Sequence, residues 1–498
     1  MEFILAIDQG TTSSRAILFD KDAKVIASDQ HEFAQYFPKA GWVEHDASEI
    51  WESQLRAIEG ALKKAGCSWE SIAGIGITNQ RETIVAWDAK TGEPVGKAIV
   101  WQDRRTAGYC DRLKAEGKES WIQERTGLLL DPYFSASKMR WILENRPEAK
   151  VLADKGELRF GTVDSWLIWK LSNGRSFVTD VSNASRTLLM DLRSCEWDGD
   201  LLGVFGVPSS CLARIVDSSG ALAETAGEVT GGCEIAVSGI AGDQQAALFG
   251  QLCFEPGMVK CTYGTGCFIL MNVGRGPAVS RNKLLGTVAW RMAGTTEYAL
   301  EGSVFVGGSA VQWLRDELGL IKSAAEIEAL ARSVDDSDGV MLVPAFTGLG
   351  APYWDPYARG TIFGLTRGST AAHIARATLD GIAYQVCDVA SAMASDAGRE
   401  LGEIRADGGA SANALLMQTQ ADLTGAEVAC PKILETTAMG AAFLAGLGVG
   451  FWESKEVLKE LVRADRRYGP GMPVHEREKR LRKWAKAVER SQAWATED

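Results

Sequence analysis

A carboxylate, a glycine turn, four hydroxyls and an arginine fall within eight residues near the start of the chain, Asp8-Gln9-Gly10-Thr11-Thr12-Ser13-Ser14-Arg15. These are the parts of a phosphate site. Gly10 permits a tight turn, the hydroxyls of Thr11, Thr12 and Ser13 donate to phosphoryl oxygens, and Arg15 can fork onto a terminal phosphate. Asp8, at a strand end, can hold a hydrated Mg²⁺. One such turn alone could be an ordinary polar loop. A second one, Tyr263-Gly264-Thr265-Gly266, lies in the other half of the chain, and the pair implies a nucleotide clamped between two halves. A third segment, Asp407-Gly408-Gly409-Ala410-Ser411-Ala412-Asn413, runs from a strand through a glycine pair into a helix. It leaves room for a flat ring and ribose, although Asn413 could equally be a helix cap.

Other phosphate and hydrolase patterns are missing from the sequence. There is no G-x-x-x-x-G-K-[ST] loop, no G-x-G-x-x-G after a strand and no G-x-S-x-G elbow. Four histidines without an HExxH pattern argue against a zinc hydrolase.

Both turns need hairpins to hold them, and the apolar pattern supplies these. Strands are expected over 3–7, 15–19 and 25–28, then a helix over 48–64 started by Asp46 and stopped by Gly66. Short strands follow over 72–78 and 83–87. The second half opens the same way, with strands over 257–263 and 267–271, then 287–291 and 297–301. Helices are expected over 306–318, 371–397 and 413–423. The reading is an α/β protein with a structural duplication, in two domains, 1–250 and 251–498. At 498 residues two domains are the natural expectation.

Composition narrows the partners. A net charge of −12 leaves no basic stripe for a nucleic-acid backbone. The basic segment 477–490 reads as a solvated helix face. Ten cysteines without a C-x-x-C pair read as free thiols of a reducing compartment. The N-terminus runs straight into a strand without signal-peptide character. The longest apolar stretch, 438–451, is too short to cross a bilayer, so no membrane insertion is expected. The expected location is cytoplasmic.

The three turns resemble the phosphate-1, phosphate-2 and adenosine segments of the actin-like ATPase and sugar-kinase superfamily. Two longer stretches resemble the signatures of the FGGY carbohydrate kinases: Tyr133-Phe134-Ser135-Ala136-Ser137-Lys138-Met139-Arg140-Trp141, and the run from Gly360 through Gly364-Leu365 to Ala377-Thr378-Leu379-Asp380. Further segments are similar to the small-polyol branch of that family: Gly41-Trp42-Val43-Glu44-His45, Thr78-Asn79-Gln80-Arg81-Glu82-Thr83, Trp101-Gln102-Asp103-Arg104-Arg105 and Gly242-Asp243-Gln244-Gln245. The resemblance runs from residue 4 to about residue 452.

It implies two actin-like (ribonuclease H-like) α/β domains with a ligand cleft between them, ATP and Mg²⁺ as cofactors, glycerol as substrate, and a homodimer or homotetramer. Asp243 is implied as the base that accepts the hydroxyl proton, and it also stands where it would cap the helix beginning at Gln244. Arg81 and Glu82 set a donor fork beside an acceptor, suited to a vicinal diol, with Asp243 and Gln244 as further hydroxyl partners. Trp101, Tyr133 and Phe268 are implied as the pocket walls. Thr11, Thr12, Ser13 and Arg15 are assigned to the phosphates, Thr265 and Gly308 to the β/γ region, and Gln312, Gly409 and Asn413 to the adenosine side. Mg²⁺ would be held mainly by phosphates and water, with Asp8 and Asp243 close by.

One stretch departs from relatives that bind fructose 1,6-bisphosphate on a basic loop. Here Gly231-Gly232-Cys233-Glu234-Ile235 has an acid in that place, so that inhibition is expected to be weak or absent. No histidine lies between His45 and His373, so control by a phosphorylated histidine is also not expected. Two rival readings stand beside this one: an FGGY kinase of a pentulose, hexulose or tetritol, and a non-enzymatic actin-like switch ATPase.

Overall fold

The apolar run at the N-terminus forms strand β1 (Phe3–Gln9), buried almost throughout. Burial on both faces is what a near-continuous apolar strand requires. A turn closed by the Gly10 N–H on the Ser13 carbonyl, 2.9 Å away, returns the chain as β2 (Ser13–Phe19), and β3 (Val25–Glu32) completes an antiparallel meander. This computed structural model describes residues 2–432, 435–462 and 464–495.

Ten further strands extend the same sheet: β4 (Ile72–Asn79), β5 (Ser219–Glu224), β6 (Ala236–Gly242), β7 (Val259–Tyr263), β8 (Cys267–Gly274), β9 (Leu285–Met292), β10 (Thr295–Val304), β11 (Ile404–Asp407), β12 (Val428–Pro431) and β13 (Ala464–Tyr468). Their order is β13-β12-β11-β7-β8-β10-β9-β5-β6-β4-β1-β2-β3. One pattern appears twice. In the first half, β3-β2-β1 is antiparallel and β4 and β6 add in parallel. In the second half, β10-β8-β7 is antiparallel and β11 and β12 add in parallel. The duplication expected from the two glycine turns is thus visible strand by strand. A single pairing of β5 with β9, Ser219 against Met292, joins the two arrays.

Helix α1 (Ala47–Ala65) starts at Asp46, whose carboxylate accepts the Ser48 N–H, and ends at Gly66 with φ 64°. It covers β2 and β3. Two helices cross between the arrays. Helix α2 (Asp243–Gly250) follows β6, and α3 (Thr436–Gly448) packs on α2 and on β1, β4 and β6. Their backbones nearly touch: a Cβ at Gly440 would sit 1.8 Å from the Ala246 carbonyl oxygen. Ile4, Ile17, Phe249, Trp290 and Phe443, all but inaccessible, form the core that both arrays share around this crossing.

Candidate active site

Strand β4 delivers the turn Gln80-Arg81-Glu82-Thr83, where a cluster of buried charges gathers. Glu82 holds φ 61°, a left-handed conformation that a non-glycine residue keeps only when its surroundings impose it. Its carboxylate accepts the Arg186 Nε–H at 2.7 Å. Both terminal nitrogens of Arg81 lie on Glu301 of β10, at 2.5 and 3.0 Å, and Arg186 adds a third contact to Glu301 at 3.1 Å. The four side chains are no more than 3% exposed. Burial alone would raise the Glu301 carboxyl, but Arg186 and Arg81 outweigh it and hold it near 2. In Glu82 burial prevails over the same two arginines, and its carboxyl is raised.

Asp243 opens α2, beside this cluster. Its carboxylate is one third exposed, forms an ion pair with the Arg81 Nε at 3.0 Å and accepts the backbone N–H of Gln244 at 2.7 Å. The helix-start contact and an open carboxylate therefore coexist in one residue. The Gln244 side chain accepts from Lys260 at 2.5 Å. Lysine only donates, so the Gln244 amide oxygen is committed and its NH₂ is left to face elsewhere. Burial pulls the Lys260 ammonium below its usual range.

The aromatic residues stand close by. Trp101 and Tyr133 meet edge to face with centroids 5.6 Å apart, and the Trp101 indole N–H donates to the Thr11 hydroxyl at 3.0 Å. That bond ties Trp101 to the first glycine turn. The loop carrying Tyr133 is pinned by buried Lys138, which donates to the carbonyls of Pro132, Tyr133 and Phe134 at 2.6, 2.7 and 3.0 Å. Burial lowers its ammonium to about 8. Phe268, half-buried on β8, lies opposite Thr262 and Ser303 in the sheet.

On the first hairpin Asp8 and Arg15 are cross-strand partners, and Arg15 pairs with Glu435 just ahead of α3. Thr11 and Ser13 are half-buried and Thr12 is exposed at the turn. Burial pushes the Asp8 carboxyl up to about 7; Arg15 opposes this, and the carboxylates of Asp243 and Glu435 add to it. Asp8 and Asp243 thus repel each other at one spot, which a divalent cation would relieve. Among the described residues no three His, Cys, Asp or Glu side chains gather as a cage for a metal. Two carboxyls placed so fit a cation that brings most of its oxygen ligands with it, as Mg²⁺ does.

The second hairpin supports a separate cavity of about 460 Å³. Helix α4 (Gly308–Asp316) docks on the turn through the Gly308 N–H to Gly264 O at 2.8 Å and the Ser309 N–H to Thr265 O at 3.1 Å. Thr265, Gly308, Gln312, Gly409 and Asn413 all line the cavity. Asn413 also caps helix α5 (Ala414–Thr424), accepting the Leu416 N–H at 2.9 Å, so this residue caps a helix and lines the cavity at once. Gly408, at φ 85°, presses against the second hairpin: a Cβ there would lie 2.6 Å from the Tyr263 carbonyl oxygen.

Two family models match, the N-terminal domain of the FGGY family of carbohydrate kinases over residues 3–250 and its C-terminal domain over residues 259–449. The chain belongs to the FGGY family of carbohydrate kinases. Among its relatives, the glycerol kinase of Dechloromonas aromatica is 58% identical over 494 residues, 99% of this chain and 98% of that one. The glycerol kinase of Deinococcus radiodurans is 55% identical over 493 residues, 99% of this chain and 98% of that one. The crystal structure of Plasmodium falciparum glycerol kinase with ADP superposes with a TM-score of 0.94 at 37% identity, covering 99% of this chain and 98% of that one. A ligand-bound xylulose kinase from Lactobacillus acidophilus, 22% identical, shares the fold with a TM-score of 0.87 over 98% of this chain and 97% of that one. The fold is the two-domain, actin-like α/β fold of sugar kinases.

In this FGGY kinase Arg81, Glu82 and Asp243 fall into one contiguous network, with Gln244 beside Asp243 in the chain. Trp101 and Tyr133 pack edge to face, and the five residues expected on the nucleotide side line one cavity. Three participants escaped the sequence: Glu301, Arg186 and Lys260. Glu301 and Arg186 stand 220 and 104 positions from their partners Arg81 and Glu82. The one local signal was a charged residue next to apolar neighbours in a strand, Glu301 after Ala299 and Leu300 in β10 and Lys260 between Val259 and Cys261 in β7.

Proposed function

We propose that this protein phosphorylates glycerol, moving the γ-phosphoryl group of Mg·ATP to a terminal hydroxyl to give sn-glycerol 3-phosphate and ADP. The observation that carries the reading is full-length identity of 55–58% to glycerol kinases. The arrangement around Asp243 supports it. An open carboxylate, a buried Arg81–Glu82 pair and two aromatic faces suit a molecule that is hydroxylated on one edge and C–H on the other.

In this reading Arg81, Glu82 and Gln244 orient the triol, and Trp101, Tyr133 and Phe268 pack on its carbon edge. Asp243 accepts the hydroxyl proton as the alcohol oxygen bonds to the γ-phosphorus and the bond to the ADP oxygen breaks. Thr11, Thr12, Ser13 and Arg15 hold the phosphates from one hairpin, and Thr265 and Gly308 from the other. Gln312, Gly409 and Asn413 receive the nucleoside. Asp8 and Asp243 would hold Mg²⁺ through water, and the ion, when bound, would supply neutralisation of the phosphate charge. Closure of 1–250 on 251–498 excludes water from the transfer.

The proposal extends to a homodimer or homotetramer in the cytoplasm. Ten free thiols accord with a reducing compartment, and no helix among the described residues is long and apolar enough to cross a membrane. The test is ADP release in Mg·ATP with and without glycerol. Release that depends on glycerol supports the kinase, and equal turnover without any polyol supports a switch ATPase instead.

A further inference from the structure

We infer that Glu301 is a positioning residue that couples the polyol pocket to the nucleotide-binding half, an inference that rests on the assignment of the two sites above.

Glu301 belongs to β10, in register with Leu270 on β8, and two positions further on Ser303 pairs with Phe268. β8 rises directly from the Gly264–Gly266 turn, which closes the nucleotide cavity. All three contacts of the Glu301 carboxylate leave this half of the chain. They end on Arg81, 220 residues away, and on Arg186, 115 residues away. Both arginines sit in the polyol half, and each also touches a residue of the polyol site: Arg81 reaches Asp243 at 3.0 Å and Arg186 reaches Glu82 at 2.7 Å.

The quartet Arg81, Arg186, Glu82 and Glu301 sets two guanidiniums against two carboxyls, and all four side chains are buried. Glu301 takes both terminal nitrogens of Arg81, so only the Arg81 Nε lies against Asp243, whose carboxylate stays one third exposed for the substrate. Without Glu301, two buried guanidiniums would share Glu82 and repel each other. Arg81 would then turn its fork onto Asp243, because a buried cation left unpaired is strongly unfavourable. One Arg186 nitrogen, Nη1, is buried with no hydrogen-bond partner among the described residues, so this side of the network has no spare acceptor to absorb the loss. A shift of β8 and β10 when nucleotide binds therefore moves the group that sets Arg81 and, through Arg186, Glu82. Nucleotide and polyol then strengthen each other's binding, as reciprocal linkage requires.

Calorimetry on the full-length protein tests this, with glycerol titrated in the presence and absence of a non-hydrolysable Mg·ATP analogue. In the wild type the analogue should tighten glycerol about tenfold or more; in Glu301→Gln the tightening should fall below about twofold and the glycerol KM should rise by at least about tenfold. The analogue's own Kd without glycerol should stay within about threefold of wild type, a split that general loss of structure would not produce. Should Glu301→Gln fail to fold, Glu301→Asp, which keeps the charge but shortens the reach, carries the test; tightening cut at least about threefold supports the inference and unchanged tightening overturns it. The inference is also overturned if the wild type shows no tightening, or if Glu301→Gln keeps both the tightening and the glycerol KM. Failure of the functional reading looks different: the wild type would then release no glycerol-dependent ADP.

Discussion

The Nε of Arg81 lies 3.0 Å from a carboxylate oxygen of Asp243, while both terminal nitrogens of the same arginine are held by Glu301. Asp243 thus has a cation beside it without being closed into a bidentate pair, and one third of its side chain stays open to the cleft. A carboxylate in that position can take a proton from an alcohol and still lie next to a compensating charge.

Asp243→Asn should lower kcat by about 10³-fold, since amide cannot accept the proton and base catalysis is worth about 10²–10⁴-fold. Nucleotide affinity by calorimetry should change little, because the cavity lined by Thr265, Gln312 and Asn413 lies on other elements. A kcat within tenfold of wild type would remove Asp243 from the role of base.

Asp388 ties three elements together, accepting from Tyr353 at 2.9 Å and from Trp484 at 2.6 Å through the same oxygen. Burial raises its carboxyl to about 6, above the roughly 3.9 of an unfolded chain. The folded state therefore binds this proton more tightly, and the group's contribution to stability is largest below about pH 4 and is lost as pH rises through 6. Asp388→Asn keeps an acceptor oxygen for both donors and never ionises. Its melting temperature should gain on that of the wild type as pH goes from 4.5 to 7.5, by the equivalent of about 2 kcal/mol. A pH-independent difference between the two proteins would contradict this.

Gly440→Ala should destabilise the fold. Its Cβ would sit 1.8 Å from the Ala246 carbonyl oxygen, a backbone atom that cannot swing aside. Overpacking of this kind costs about 1–3 kcal/mol, to be read as a lower midpoint in chemical denaturation. An unchanged midpoint would mean that α2 and α3 can separate without loss.

Fructose 1,6-bisphosphate should inhibit weakly or not at all. Glu234 is exposed and engages Arg175 at 3.2 Å, so the loop presents an acid and occupies its nearest base. Initial rates with millimolar bisphosphate should match those without it, and strong inhibition below millimolar would overturn the expectation.

The parts of this molecule that depend on neighbours in sequence were legible in it. Thr370 and Gly398 bracket the helix expected over 371–397, and it lies at Ala371–Ala397, with Gly398 at φ 59°. Both glycine turns were readable from the apolar runs on either side. β5 was not, because its sequence Ser-Gly-Ala-Leu-Ala-Glu lacks an apolar stripe and its place is fixed by β6 and β9. The pairing of Arg15 with Glu435, 420 positions apart, was beyond any local pattern. So was the Arg81–Glu301 pair, since an ion pair leaves no periodicity and is defined only once the two arrays meet. The helix expected over 306–318 is shorter, Gly308–Asp316, because Gly307 and Gly308 are bonded back to the second hairpin.

The most direct measurement is kcat/KM in Mg·ATP for glycerol, dihydroxyacetone, erythritol, xylulose and ribulose side by side. Glycerol should exceed each pentulose by at least about tenfold, the discrimination that a pocket matched to a small triol can give. Equal or better use of xylulose or ribulose would contradict the assignment of glycerol as substrate.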